Sequence, residues 1–218
     1  MTIREALWEI ALDQYGYVTT LDAACLEVPE VELRKLAGRR KLVRVCQGVY
    51  RFPDFPVSQN DQFMEAVLWT RDPAATLSHE TALDVRELSD VNPNVIHVTI
   101  PKRKNPIRRK ETPGAFVVHY EDLRPDQRGW WDQIPCVTAE TAIDQTTISL
   151  PRPDLVGQAI DHAEAQGLIT KTTATRQRAA LKERYDTPRP KPRGSVRPPR
   201  LSKPSLDRAK SAPDVRPA

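Results

Sequence analysis

The stretch GYVTTLDAACLEVPEVELRKLAGRRKLVRVCQGVYRFP, residues 16–53, carries the pattern that decides the fold. Upstream of it, Ile3, Leu7, Ile10 and Ala11 recur at helical spacing, and Gly16 suits the C-terminal cap of that helix. Tyr17-Val18-Thr19 reads as a short extended bridge. Thr20 can cap a second short helix, Leu21 to Cys25, because its hydroxyl accepts from an otherwise unpaired backbone N–H. Pro29 fits the first position of a third helix, where its missing N–H costs nothing. Leu33, Leu36 and Ala37 form the buried side of that helix, which ends near Arg40-Lys41. Two short strands follow, 42–46 and 49–52, joined by Gln47-Gly48 in a tight hairpin turn. Helix, helix, turn, helix and β-hairpin in this order predict a winged helix-turn-helix.

Charge layout adds a function to that order. Between Leu33 and Phe52 there are seven cations and no acid: Arg34, Lys35, Arg39, Arg40, Lys41, Arg44 and Arg51. Together with Gln47 at the wing turn, they form the predicted DNA-binding set, with cations facing the phosphate backbone. The exposed N-terminal turn of the third helix would face base edges. It carries Glu30 and Glu32, which either accept from cytosine amino groups or simply satisfy the helix N-terminus.

Outward from this stretch, Pro53 and Pro56 interrupt both helix and central strand and mark a predicted boundary. The expected organisation is a winged helix-turn-helix over 1–56, an α+β partner-binding domain over 57–185 and a disordered tail over 186–218. The tail holds eight of the chain's 20 prolines and few large aliphatics, too little apolar surface to offset ordering entropy. It also carries nine Lys/Arg against three Asp/Glu. The rest of the chain is therefore slightly acidic, and the net charge of +4 belongs to the tail. Three scattered cysteines, Cys25, Cys46 and Cys136, make neither a disulfide framework nor a zinc site and fit a reducing cytoplasm. No apolar run is long enough for a membrane span.

In the middle region, Asn60, Ser78 and Thr138 are predicted helix caps. Residues 95–100 alternate as a strand with Ile96, Val98 and Ile100 on one face, and 116–120 read as its partner strand, giving a small antiparallel sheet. Leu155, Val156, Ala159, Ile160 and Ala163 define a helix stopped by Gly167, and a last amphipathic stretch runs over 173–185. Between the two strands lies a cationic segment, Lys102, Arg103, Lys104, Arg108, Arg109 and Lys110, before the first acid, Glu111. Its readings are an exposed loop, a dock for an acidic partner protein, or a nucleic-acid contact. Nucleotide-binding, hydrolase, zincin and kinase motifs are absent, so no catalytic residue, cofactor or metal is expected. His97 and His119 could face one another on paired strands, but two histidines alone make a weak metal set, and both read as ordinary strand residues. His79 reads as structural or surface, and Trp130-Trp131 as a core anchor or an exposed binding patch.

The quoted stretch resembles the N-terminal winged helix of AbiEi-type antitoxins, the antitoxin half of type IV (AbiE) toxin–antitoxin pairs. The most specific part is RRKLVRVCQGVYRFP. Downstream, LSHETALDVREL, VIHVTIPKRK and IPCVTAETAIDQ are similar to that family's segments in the same order. The resemblance implies an antitoxin and transcriptional autorepressor that binds operator DNA and neutralises a nucleotidyltransferase-like toxin. Self-association on DNA stays open. The alternatives are a winged-helix regulator without a toxin, or an antitoxin that enzymatically modifies its toxin.

Overall fold

The computed structural model describes residues 2–102 and 116–186, and these form one compact unit. The predicted tail and all of the cationic segment except Lys102 lie outside the described residues.

The N-terminal third has the expected order. Helix α1 (Ile3–Leu12) opens on a reciprocal cap: Thr2 accepts from the Glu5 N–H and Glu5 accepts from the Thr2 N–H. Leu7 and Ala11 are its buried face. Gly16 turns the chain out of α1 at φ +82°, donating to the Ala11 carbonyl. A Cβ there would fall 2.5 Å from the Phe55 side chain, so both the turn and the close approach require glycine. Strand β1 (Tyr17–Thr19) leads directly into α2 (Thr20–Cys25). The cap of α2 is Thr19, not Thr20, because Thr19 and Asp22 satisfy each other's backbone N–H groups. Helix α3 spans Glu30–Gly38, with Pro29 one position earlier than expected, at the cap. Strands β2 (Val43–Cys46) and β3 (Val49–Arg51) form the hairpin, with a bulge between Arg44 and Cys46. Strand β1 pairs antiparallel with β3, giving a small antiparallel sheet in the order β1-β3-β2.

The second part is mixed. Helix α4 (Asp61–Trp69) is followed by the two-residue strand β4 (Thr76–Leu77), α5 (His79–Val85), β5 (Ile96–Ile100) and β6 (Phe116–Tyr120). A hairpin of β7 (Arg128–Trp131) and β8 (Ile134–Val137) precedes three helices: α6 (Ala139–Ser149), α7 (Pro153–Ala165) and α8 (Lys171–Asp186). The five-stranded sheet has the order β6-β5-β4-β8-β7. Its β4–β5 and β7–β8 pairs are antiparallel, but β5–β6 and β4–β8 are parallel. The expected antiparallel pairing of 95–100 with 116–120 is therefore corrected. The chain leaves β5 at one end of the pair and enters β6 at the other.

Ser78 and Asn60 occupy the expected cap positions, but neither side chain caps. Ser78 Oγ lies 3.0 Å from His79 Nδ1, and Asn60 donates to the Asp132 carboxylate. Helix α8 has little apolar surface: it buries Ala174 and Gln177 and carries exposed ion pairs. Arg176 meets Glu140 and Asp144, and Arg178 meets Asp161 and Glu164.

Two cores lie beneath these elements. The first gathers Leu7, Ala11, Val18, Leu33, Leu42, Tyr50 and Phe52. The second runs through the five-stranded sheet and its helices, and it also takes in Tyr17 and Val49. The two cores do not divide at Pro53 and Pro56, since Phe55 packs against the first and Tyr17 and Val49 belong to the second. Alternation along β1 and β3 sends one residue into each core, which joins the two parts through shared strands. Among the described residues, no helix is long and apolar enough to cross a membrane.

Candidate functional site

Two groups of side chains stand out. The first is the cationic face of α3 and the hairpin. Arg34, Lys35, Arg39, Arg40, Lys41, Arg44 and Gln47 are all exposed. Helix α3 ends in a tight turn: Arg40 adopts φ +57°, and the Lys41 N–H reaches back to the Leu36 carbonyl. This turn carries the chain from Arg39, Arg40 and Lys41 into β2. Glu30 pairs with Arg34 at 2.7 Å and Glu32 with Lys35 at 2.7 Å, across one helical turn each. The guanidinium lowers the Glu30 carboxyl below its ordinary range. Both glutamates are therefore occupied by α3's own cations, which lessens their repulsion of a polyanion.

Arg51 does not share this face. Its side chain is mostly buried, donating to Asp61 at 2.9 Å and to the Pro56 carbonyl at 2.8 Å, over the Tyr17 ring. The alternation that exposes Arg44 turns Arg51 toward α4, so its charge holds the two parts together. Arg71 was missed by sequence reasoning. It lies outside the predicted unit, yet it is exposed and its guanidinium packs against Gly48 at the hairpin turn. Lys102 is exposed, and its N–H donates to Asp122. Arg103, Lys104, Arg108, Arg109 and Lys110 lie outside the described residues.

The second group brings His97 and His119 face to face, as their strands allowed, and adds His79, which sequence reasoning left out. Three of the chain's four histidines converge: His79 at the start of α5, His97 on β5 and His119 on β6. One ring nitrogen from each lies within 4.8 Å of the other two. His97 Nδ1 is 2.9 Å from His119 Nε2, and the His79 ring stacks on His119 at 3.6 Å. In the parallel register His97 opposes Val117 and Thr99 opposes His119, so both histidines lie on one face, offset by two residues. His79 is brought over them by a backbone with φ +52°, rare for a side-chain-bearing residue at the first position of a helix. The Gln145 side chain accepts its N–H.

Burial comes first among the forces on these rings. It pushes His79 down to about 3, with His119 and His97 adding to the effect. Burial and the neighbouring His97 push His119 down to about 4, against an opposing pull from Glu80. His97 is also lowered by burial, again opposed by Glu80. All three are held as neutral imidazoles. Glu80 is buried next to them. One of its oxygens accepts from Ser149 Oγ; the other, Oε2, stands 3.4 Å from His97 Nδ1 and has no hydrogen-bond partner. The fourth histidine, His162, is exposed on α7.

The tryptophan pair splits. Trp131 packs edge-on against Phe63, whereas Trp130 is 69% exposed. Trp130 walls a groove of about 730 Å³ with Leu21, Cys25, Leu68 and Arg71.

Comparison with known proteins adds little. No family model matches the chain, and no curated protein matches it. Among solved structures, it is similar to the RV2827C protein from Mycobacterium tuberculosis, at 18% identity and a TM-score of 0.45. That match covers 82% of this chain and 75% of the other.

Proposed function

We propose that this protein is a transcriptional regulator that binds duplex DNA through a winged helix-turn-helix built from α1, α2, α3 and the β2–β3 hairpin. The observation that carries the reading is the exposed cationic face. Arg34, Lys35, Arg39, Arg40, Lys41 and Arg44 run from α3 through its terminal turn into β2, and the nearby glutamates are paired internally. In this reading, phosphate contacts from these side chains fix register, α3 enters the major groove, and Gln47 at the hairpin turn reaches the adjacent backbone. Arg71 extends the face and Arg51 is removed from it.

The second half of the proposal rests on the AbiEi resemblance. The protein acts as an antitoxin that represses its own operon and neutralises a nucleotidyltransferase-like toxin. The DNA half is tested by a gel-shift salt series on the full chain with the duplex upstream of its own gene. Replacing Arg34, Arg39 and Arg44 together with Ala weakens binding and lowers the log K against log salt slope by roughly 2–3. An unchanged affinity and slope would sink the claim. For the antitoxin half, the full chain is co-expressed with a nucleotidyltransferase encoded beside it. Growth inhibition that persists at full expression of both proteins rejects it.

A further inference from the structure

We propose that His79, His97 and His119 form a structural site for one divalent first-row transition cation of the zinc type, locking α5 onto the β5–β6 pair, with the Glu80 carboxylate beside it. This assignment is independent of the DNA-binding reading. Imidazole nitrogens are ordinary ligands for such an ion, and a water molecule can fill the fourth tetrahedral position.

Several separate features support the assignment. Three histidines from three elements of the fold bring ring nitrogens within 4.8 Å of one another. In a tetrahedral site with metal–nitrogen bonds of about 2.0–2.1 Å, ligand nitrogens lie roughly 3.3 Å apart. His97 Nδ1 and His119 Nε2 are at 2.9 Å and aimed at one another, so an ion between them requires both rings to part and turn toward it. Without an ion, one proton must lie between these two nitrogens. If His97 gives its proton to His119, nothing faces Glu80 Oε2, which has no hydrogen-bond partner. A buried carboxylate left in that condition is costly. A dication bound to the three imidazoles compensates the nearby Glu80 charge and removes the competition for one proton.

The surroundings are those of ligand orientation. Ser78 Oγ holds His79 Nδ1 at 3.0 Å, and Ser149 Oγ holds the other oxygen of Glu80 at 3.2 Å. The left-handed backbone at His79 swings its ring over His119 at the cost of local strain, a feature that concentrates at functional positions. Neutral imidazoles are the ligating form, and burial keeps them neutral. His79 and Glu80 are 7% and 8% exposed, which leaves little room for substrate and favours a structural role.

The full chain, purified without a histidine tag and stripped with chelator, is titrated with Co²⁺ and then Zn²⁺. One ion per chain is expected. Co²⁺ should give the intense visible bands of a four-coordinate ion, bleached by Zn²⁺, and Zn²⁺ should raise Tm by several degrees. His119→Gln should weaken Co²⁺ binding by about 100-fold and Glu80→Gln by about 10-fold, while His162→Gln leaves it unchanged. The proposal is overturned if the folded wild-type chain binds no ion at saturating Zn²⁺. Undiminished binding in a folded His119→Gln chain overturns it too. Should these variants not fold, X-ray absorption of the wild-type Zn²⁺ complex decides: three imidazoles per ion support the site, and fewer refute it.

Discussion

Replacing Arg51 with Met separates a structural cation from a DNA-reading one. The methionine keeps most of the aliphatic volume over Tyr17 and removes the guanidinium. Two charge-assisted hydrogen bonds go with it, to Asp61 at 2.9 Å and to the Pro56 carbonyl at 2.8 Å. The Arg51 and Asp61 side chains are only 14% and 13% exposed, so the Asp61 carboxylate is left buried without its cation. Its other oxygen already lacks a partner. Breaking a buried pair in this way costs about 3 kcal/mol. For a unit of this size that is a fall in Tm of roughly 6–12 °C. Adding Asp61→Asn removes the stranded charge and should recover about 1–2 kcal/mol, a coupling that independent sites would not show. Urea denaturation of the full chain measures all three variants, and the gel-shift salt slope is recorded alongside. The slope should match wild type at temperatures where the variant is folded. A stability loss under about 1 kcal/mol, together with a slope reduced by about 1 unit, would return Arg51 to the DNA face and refute the structural reading.

Arg40→Gly relieves the left-handed backbone at the end of α3 and should raise stability by about 0.5–1 kcal/mol while weakening DNA binding, as read from paired melts and gel shifts. In the β7–β8 hairpin, Asp132 and Gln133 both have positive φ, so Gln133→Gly should raise the urea midpoint; an unchanged or lower midpoint counts against a strained turn. Acid should destabilise the metal-free chain. Burial holds His79 near 3 and His119 near 4, below the unfolded value of 6.5, so the unfolded chain takes up protons first. Stability is full above pH 6.5 and is lost as pH falls toward 4, with His79 contributing at most about 2 kcal/mol between pH 7 and 5. Urea midpoints at pH 7, 6 and 5 check this, and a midpoint constant over that range would mean the rings are not held neutral.

Residues 16–53 were legible in the sequence because their signals are local. The capping threonine, Pro29, Gly48 and the apolar residues of α1 and α3 each act within a turn or two of themselves, and the expected boundaries miss by a residue where two threonines compete for one cap. The cationic run was equally legible as a run. What the sequence could not assign was the direction of each side chain, and so Arg51 turned out to serve α4 while Arg71 joined the hairpin. Strand β4 has only two residues, and β7–β8 carries Gly129 and Pro135, so neither shows a periodicity long enough to read. The parallel pairing of β5 with β6 is likewise invisible in the alternation of either strand, since alternation sets which face a residue takes and not which way its neighbour runs. The histidine cluster depends on all of these at once. His79, His97 and His119 have no ligand-like spacing along the chain. They meet only because β4 inserts beside β5, β5 and β6 run in parallel, and a left-handed turn lays the start of α5 over both. Local chemistry determined the elements; long-range strand pairing, which no nearby residues encode, decided which side chains share a site.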